Sequence, residues 1–161
     1  MAGMLKKKIK TKTRPSEEQS QAAREKIERA FARRVNVKDK YTVAYAYYVD
    51  EALLSRSVYS YLLGFSPKHR QIVIMPLDKE GQPGKSLRLK TSEIDKAFYD
   101  KKGNLVIKSK RLAKILKIVV APFTPIEYEE MHLLPVIQEE TAAQFQQFIK
   151  NCFDIEPPEE E

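Results

Sequence analysis

This chain contains few of the residues that build cross-linked or reactive sites. Its 161 residues include no tryptophan, one cysteine and two histidines. The single cysteine, Cys152, cannot close a disulfide within the chain, which excludes a small domain held together by disulfides. No apolar run approaches the roughly 20 residues that cross a bilayer, and no apolar segment of signal-peptide length follows the basic N-terminus. We therefore expect a protein of the cytoplasm.

The chain also lacks a complete motif for catalysis, metal binding or phosphate binding. Residues 81–86 end in Gly-Lys-Ser, but a P-loop requires glycine where Lys79 stands. The cysteine and the histidines do not have zinc-site spacing. The glutamates between residues 127 and 140 have neither the spacing of a calcium loop nor that of a catalytic carboxylate pair. We expect a protein that is not an enzyme and that uses no cofactor or metal.

What the chain does contain is the composition of a folded domain, with 42% apolar and 9% aromatic residues. The pattern predicts an α+β fold. A β-rich domain over residues 40–153 would hold about seven antiparallel strands in a curved sandwich, capped by a C-terminal amphipathic helix. A further helix is predicted over residues 15–37. The basic arm 1–14 and the acidic tail 154–161 are expected to be disordered.

Capping and periodicity predict the two helices. Ser16 and Gln19 have the spacing of a capping box, and a narrow apolar stripe follows them. The first helix is therefore expected either to dock modestly on the domain or to protrude. The segment Glu139–Phe153 is more strongly amphipathic, so we expect it to close the core. Its predicted apolar face comprises Ala142, Phe145, Phe148, Ile149 and Cys152.

Alternating residues predict the strands. Residues 41–49 place one set of aromatic and β-branched side chains on one face and a second set, which includes two alanines, on the other. Residues 70–77 are apolar on both faces, which is typical of a central strand. The other strands are expected within residues 54–65, around 87–89, over 94–99 and 105–108 as a hairpin, and over 117–123.

The middle of the chain resembles a known family. In the stretch Tyr59–Ser66 a glycine and a small hydroxyl residue precede the strongly apolar strand within Arg70–Leu77, and a later hairpin turns at Gly103. Over about residues 41–153 this order resembles bacterial pleckstrin-homology-like (PH-like) domains. The resemblance implies a partly open β-sandwich that serves in binding or assembly and not in catalysis. Lipid-binding members use basic residues in the loop between strands 1 and 2, whereas residues 50–52 here are Asp-Glu-Ala.

Charge is distributed unevenly along the chain. Residues 1–40 carry 13 basic and 5 acidic residues, a net charge of +8, whereas residues 126–161 carry 1 basic and 10 acidic residues, a net charge of −9. Charged ends often serve solubility. Alternatively, the arm meets an external anion, or the acidic end screens the arm within the chain or between copies.

Two classes of partner follow from these patterns. We expect a protein or peptide, added as an extended segment at a sheet edge. The alternative is nucleic acid, bound at its phosphates without sequence preference. An exposed apolar patch would favour the first class, and a continuous positive face with an exposed tyrosine would favour the second.

The candidate contacts for the nucleic-acid alternative are basic residues of the arm and of a predicted sheet face. They are Lys6, Lys7, Lys8, Lys10, Lys12, Arg14, Arg88, Lys90, Lys108 and Lys110. The tyrosines of the first two strands either pack across the sheet or stack on bases. Tyr47 and Tyr48 point to opposite faces, so they are the candidates for an exposed aromatic ring.

Overall fold

The computed structural model describes residues 11–36, 41–52 and 54–158. In chain order the elements are α1 (Glu17–Arg34), β1 (Thr42–Glu51), β2 (Arg56–Ser66), β3 (Gln71–Leu77), β4 (Leu87–Lys90), β5 (Lys96–Tyr99), β6 (Leu105–Lys108), β7 (Leu116–Ile118) and α2 (Glu139–Phe153). Short 3₁₀ helices span Thr91–Glu93 and Ile126–Met131. The strands form two antiparallel sheets, of order β1-β2-β3-β4 and β5-β6-β7. The predicted α+β fold is confirmed.

The predicted capping box begins α1. The Ser16 hydroxyl accepts the Gln19 N–H (3.1 Å), and the Gln19 side chain accepts the Ser16 N–H (2.8 Å). The helix docks on the domain instead of protruding. Ser20 and Arg24 contribute to this docking, because their side chains bond to the backbone N–H and C=O of Ile137. In the described part of the chain, no helix is long and apolar enough to cross a membrane.

Strand β1 separates two apolar layers, as its alternation predicts. The side of the four-stranded sheet that bears Tyr45 packs against α1 and the segment 126–137. The opposite side, which bears Ala44 and Ala46, packs against α2 and the second sheet. On the α1 side, Phe31 lies directly over Gly64, where an added Cβ would stand 2.6 Å from the Phe31 ring. The sequence therefore uses glycine in β2 to admit an aromatic ring from the helix.

The last strand is shorter than predicted. We expected it over residues 117–123, but β7 ends at Ile118. Beyond that point the chain leaves β6 and crosses to other partners, since Val119 bridges to Tyr47 and Phe123 bridges to Ile137. The alternation beyond Ile118 therefore reflects isolated bridges between the layers and not a continued strand.

Helix α2 has the predicted bounds and plugs the space between the sheets. Phe145 and Phe148 lie 5.3 and 5.5 Å from the ring of Phe65. With Ile149 they are almost fully buried. The helix ends at Asp154, which adopts the left-handed conformation and donates its N–H to the Lys150 carbonyl.

Candidate functional site

The outer edge of β1, which faces away from β2, is occupied at two residues. The Tyr45 N–H donates to Gln138 Oε1 (2.9 Å), and Gln138 Nε2 donates to the Tyr45 carbonyl (2.8 Å). Two residues further on, Tyr47 and Val119 exchange backbone bonds of 3.1 and 2.7 Å. The outward-facing backbone groups of β1 therefore lie at its odd-numbered residues. At Tyr45 an amide side chain takes the place of a neighbouring strand.

Val43 is the next outward-facing residue toward the start of β1. It stands opposite Gly64 in a pair of the type that exchanges no backbone bonds, so its N–H and C=O point away from β2. Among the residues that the structure describes, no other segment bonds to these two groups. An edge with unpaired backbone groups is where an extended peptide can add a strand.

A groove of about 460 Å³ lies between α2 and the start of β1. Its deepest side chains are apolar, since Phe65 and Phe148 are only 1% and 3% exposed. Its rim is polar and is rich in side-chain amides. The lining residues are Thr42, Phe65, Pro67, Arg70, Gln144, Gln147, Phe148, Asn151 and Cys152. The groove thus combines an apolar floor with donors and acceptors that suit a peptide backbone.

Arg70 places a positive charge at this groove. It ends the tight turn between β2 and β3 in the left-handed conformation (φ 51°), and its carbonyl accepts the Thr91 N–H (2.8 Å). The Arg70 side chain is exposed, and within the described residues it forms no ion pair. A carboxylate on a ligand in the groove would find its nearest opposite charge here.

The chemistry of Cys152 fits a groove wall. Burial raises the pKa of its thiol, and the charge of Arg70 opposes that shift only in part. The raised pKa favours the protonated thiol, and Cys152 packs, only partly buried, against the core cluster that contains the apolar face of α2. In the part of the chain that the structure describes, no group of three or more histidine, cysteine, aspartate or glutamate side chains could hold a metal ion.

The end of the predicted arm contacts the acidic part of the chain. The N–H and hydroxyl of Thr13 both donate to the Glu127 carboxylate, and Arg14 pairs with Glu139. Arg14, predicted to meet an external anion, is thus engaged within the chain. At Arg14, therefore, a carboxylate from the acidic end of the chain screens the positive charge of the arm. Of the other arm candidates, Lys12 is exposed, whereas Lys6, Lys7, Lys8 and Lys10 lie outside the described residues.

The candidates on β4 belong to the α1 side of the four-stranded sheet. Arg88 lies over the ring of Tyr41 (5.7 Å), which itself packs edge-on against Phe31. Lys90 is exposed at the end of the same strand, and its N–H donates to Glu93. A carboxylate therefore stands beside this part of the predicted positive stripe.

The candidates at the end of β6 and in the turn after it belong to a different surface. Lys108 lies over the ring of Phe98 (5.8 Å) on the outward face of the three-stranded sheet. Lys110 is exposed in the following turn, where its N–H donates to Asp95. Arg88 and Lys108 consequently stand on the outward faces of two different sheets.

Among the residues that the structure describes, the exposed aromatic ring is that of Tyr59 and not that of either candidate, Tyr47 or Tyr48. Tyr47 is half-buried and lies edge-on to Tyr128 (5.9 Å), and burial raises the pKa of its hydroxyl. Tyr48 is also half-buried and stacks on Tyr59 (6.5 Å between ring centres). Tyr59 is 47% exposed and supplies the accessible ring. Position within β2 explains this, because Tyr59 lies at the end of the strand that extends beyond β3.

Periodicity alone misses the residues that define the edge of β1. Val43 is assigned to the correct face, but its role depends on which segment flanks β1 in space. Gln138 carries no signal, because a glutamine before a helix is common in many settings. The polar residues around Tyr59, from Arg56 to Ser60, were a usable sign that this end of β2 is exposed.

Comparison with protein-family models and with curated proteins gives no match to this chain. What the protein does is therefore inferred from the geometry of the surfaces described above.

Proposed function

We propose that this protein is a non-enzymatic interaction module that binds an extended peptide at the outer edge of β1. The observation that carries the proposal is the outward N–H and C=O of Val43, to which no other segment bonds among the described residues. Val43 lies next to Tyr45 on the outer edge of β1, where Gln138 takes the place of a neighbouring strand. The same edge accepts strand-like partners at Tyr45 and Tyr47. A bound peptide would continue that row of hydrogen bonds.

The architecture supports the resemblance to bacterial PH-like domains. A four-stranded sheet, a three-stranded sheet and a closing helix occur in the order that the resemblance implies. Burial raises the pKa of the Cys152 thiol, which disfavours a thiolate nucleophile at this position. The acidic loop after β1 still disfavours phosphoinositide binding there.

The groove beside the edge indicates which peptide would fit. Backbone pairing at Val43 would hold the peptide extended, and an apolar side chain would enter the groove toward Phe65 and Phe148. An acidic residue would approach Arg70. The amides of Gln144 and Gln147 would meet the peptide backbone on its other side. The proposed ligand is therefore an extended peptide with one apolar and one acidic residue.

The test is a selection of random displayed dodecapeptides on the immobilised full chain, followed by calorimetric titration of the selected peptide. Val43→Pro removes the outward N–H without removing a bond to β2, and edge strands tolerate proline at such positions. We expect at least about tenfold weaker binding, because a backbone bond and the close approach of the peptide are both lost.

Val49→Pro is the matched control. Val49 is also an odd-numbered residue of β1, but it lies at the opposite end of the strand from the groove. We expect this variant to bind like the wild type. A selection that enriches no peptide would count against the proposal, and so would equal loss of binding in the two variants.

A further inference from the structure

The outward face of the three-stranded sheet combines lysine with exposed aromatic surface. In register, Lys96 stands opposite Lys108, and Phe98 stands opposite Val106. Lys117 stands opposite Val106 on the other side. Because side chains alternate along a strand, these five residues share one face, and the remaining residues of the three strands face the core. None of the three strands contains an acidic residue.

This face is organised around Phe98. The ammonium groups of Lys96 and Lys108 lie 5.4 and 5.8 Å from the ring centre, within cation–π range. Val106 faces away from the core, yet it is only 3% exposed. Its neighbours on the face therefore cover it, and the lysine stems contribute apolar surface as well as charge.

A pair of stacked tyrosine rings extends the face toward β1. The ammonium group of Lys117 lies 5.7 Å from the centre of the Tyr48 ring, and Tyr48 stacks on Tyr59 with an interplanar angle of 16°. Tyr59 is the outer member of this pair. The face thus ends in a flat, accessible ring beside a cation.

Positive charge is concentrated in the part of the chain that forms the three-stranded sheet. Residues 94–120 contain eight basic and two acidic residues, a net charge of +6 within a chain of net charge +7. The two carboxylates, Asp95 and Asp100, accept backbone N–H bonds at the ends of β5. Among the described residues, Lys96, Lys108 and Lys117 form no ion pair.

We infer that this face is a second binding surface, separate from the peptide groove, and that its ligand is single-stranded nucleic acid. Three lysines spread across strands about 5 Å apart would contact successive phosphates. Tyr59 would stack on an unpaired base. A duplex keeps its bases stacked on one another, so it would use the lysines but not the ring. The ligand would be bound without sequence preference, because the face offers no fixed set of groups that reads base edges.

The test is fluorescence anisotropy of a labelled dT20 oligonucleotide with the full chain, at salt concentrations from 50 to 200 mM. The triple variant Lys96→Gln, Lys108→Gln, Lys117→Gln removes three phosphate contacts. We expect the triple variant to bind more weakly than the wild type at 50 mM salt, with a salt slope less steep by about 2. Between 50 and 200 mM salt, the affinity of the wild type should therefore fall about 20-fold more than that of the variant. Tyr59→Ala should weaken binding by about 5- to 100-fold, and Tyr59→Phe should retain it.

The matched control is Lys26→Gln, Lys79→Gln, Lys85→Gln, which removes the same charge from exposed lysines on α1 and on the loop between β3 and β4. We expect it to bind nearly as well as the wild type, with each variant first checked for an unchanged melting curve. Four results would overturn the inference: no binding of dT20 at 50 mM salt, equal loss in the two triple variants, full binding by Tyr59→Ala, or equal affinity for a 20-base-pair duplex.

Discussion

The outward faces of the two sheets differ in what covers them. On the four-stranded sheet, α1 and the segment 126–137 bury the outward apolar side chains, including Tyr45 at 1% exposure. On the three-stranded sheet, the outward face bears Lys96 and Lys108, whose ammonium groups lie over the ring of Phe98. Both sheets use the same alternation, so the difference lies in the side chains placed outward. A covered face contributes to stability, whereas an open basic face is available to a ligand.

The largest expected effect distinguishes the two faces directly. Phe31→Ala should lower the free energy of unfolding by about 3–5 kcal/mol, because Phe31 is buried between α1 and the sheet. Phe98→Ala should cost about 1–2 kcal/mol, because its ring is only half-buried. Urea denaturation of both variants measures the difference. Equal costs would show that the open face is as structural as the covered one.

The next prediction concerns the hydrogen bonds that the Gln138 side chain makes to the edge of β1. Gln138→Ala leaves the N–H and C=O of Tyr45 and the carbonyl of Ala121 without their partner, so we expect a loss of about 2–3 kcal/mol in unfolding free energy. Gln138→Glu is the variant closest in shape. Its carboxylate can still accept the Tyr45 N–H but cannot donate to the carbonyls of Tyr45 and Ala121. It should also be destabilised near neutral pH. Wild-type stability in both variants would mean that the edge of β1 does not depend on this side chain.

The fit of α1 onto its sheet is tested at Gly64. A methyl group there would stand 2.6 Å from Phe31 and 3.2 Å from the Cβ of Tyr41, so Gly64→Ala should cost about 1–3 kcal/mol by overpacking. In the background of Phe31→Leu, the added methyl should cost less, because the ring that it strikes is absent. A double-mutant cycle measured by thermal unfolding gives this coupling. Additive effects would contradict the close approach.

The smallest expected effect concerns the carboxylates that hold the end of the arm. The hydrogen bond from Arg14 lowers the pKa of Glu139 below its ordinary value of 4.5, and bonds from Thr13 lower the pKa of Glu127. Because both pKa values are lower in the folded state, the stabilisation is present above pH 4.5 and is lost as the pH falls through the folded values. Both pairs are exposed, so the change in stability should be slight.

NMR titration of the side-chain carboxyl carbons in wild type and in Arg14→Ala checks this assignment. The pKa of Glu139 should rise in the variant, while that of Glu127 should stay low because Thr13 is intact. A Glu139 pKa that does not change would show that the pair with Arg14 does not form in solution.

Local chemistry predicts the helices and the faces of the strands. The capping box at Ser16 and the apolar face of α2 depend on neighbouring residues. The capping box is found as predicted, and Phe145, Phe148 and Ile149 of the predicted face are buried. The faces of β1 follow from the two-residue period of a strand. By contrast, β7 ends where the chain leaves β6 and pairs with Tyr47 instead. That point is set by a contact between distant parts of the chain and not by local sequence.

The surfaces were less accessible to prediction than the fold. Arg88 and Lys108 have similar strand contexts, but their separation follows from the division into two sheets, which alternation does not encode. The role of Tyr59 depends on how far β2 extends beyond β3. The groove depends on how α2 packs beside Thr42 at the start of β1, and these two parts of the chain are about 100 positions apart in the sequence.

The attachment of α1 has a consequence for the order of events during synthesis. Ser20 and Arg24 bond to Ile137, more than 110 residues later in the chain. Most of the stability of a helix in a protein comes from the packing of its apolar face against the rest of the fold. The helix therefore leaves the ribosome early but cannot be fixed until the sheet that it covers, and then residue 137, have emerged. During translation, which proceeds at about 5–20 residues per second, the apolar outer face of β1–β3 stays uncovered for several seconds, so this interval is when nascent chains are most exposed to association with one another.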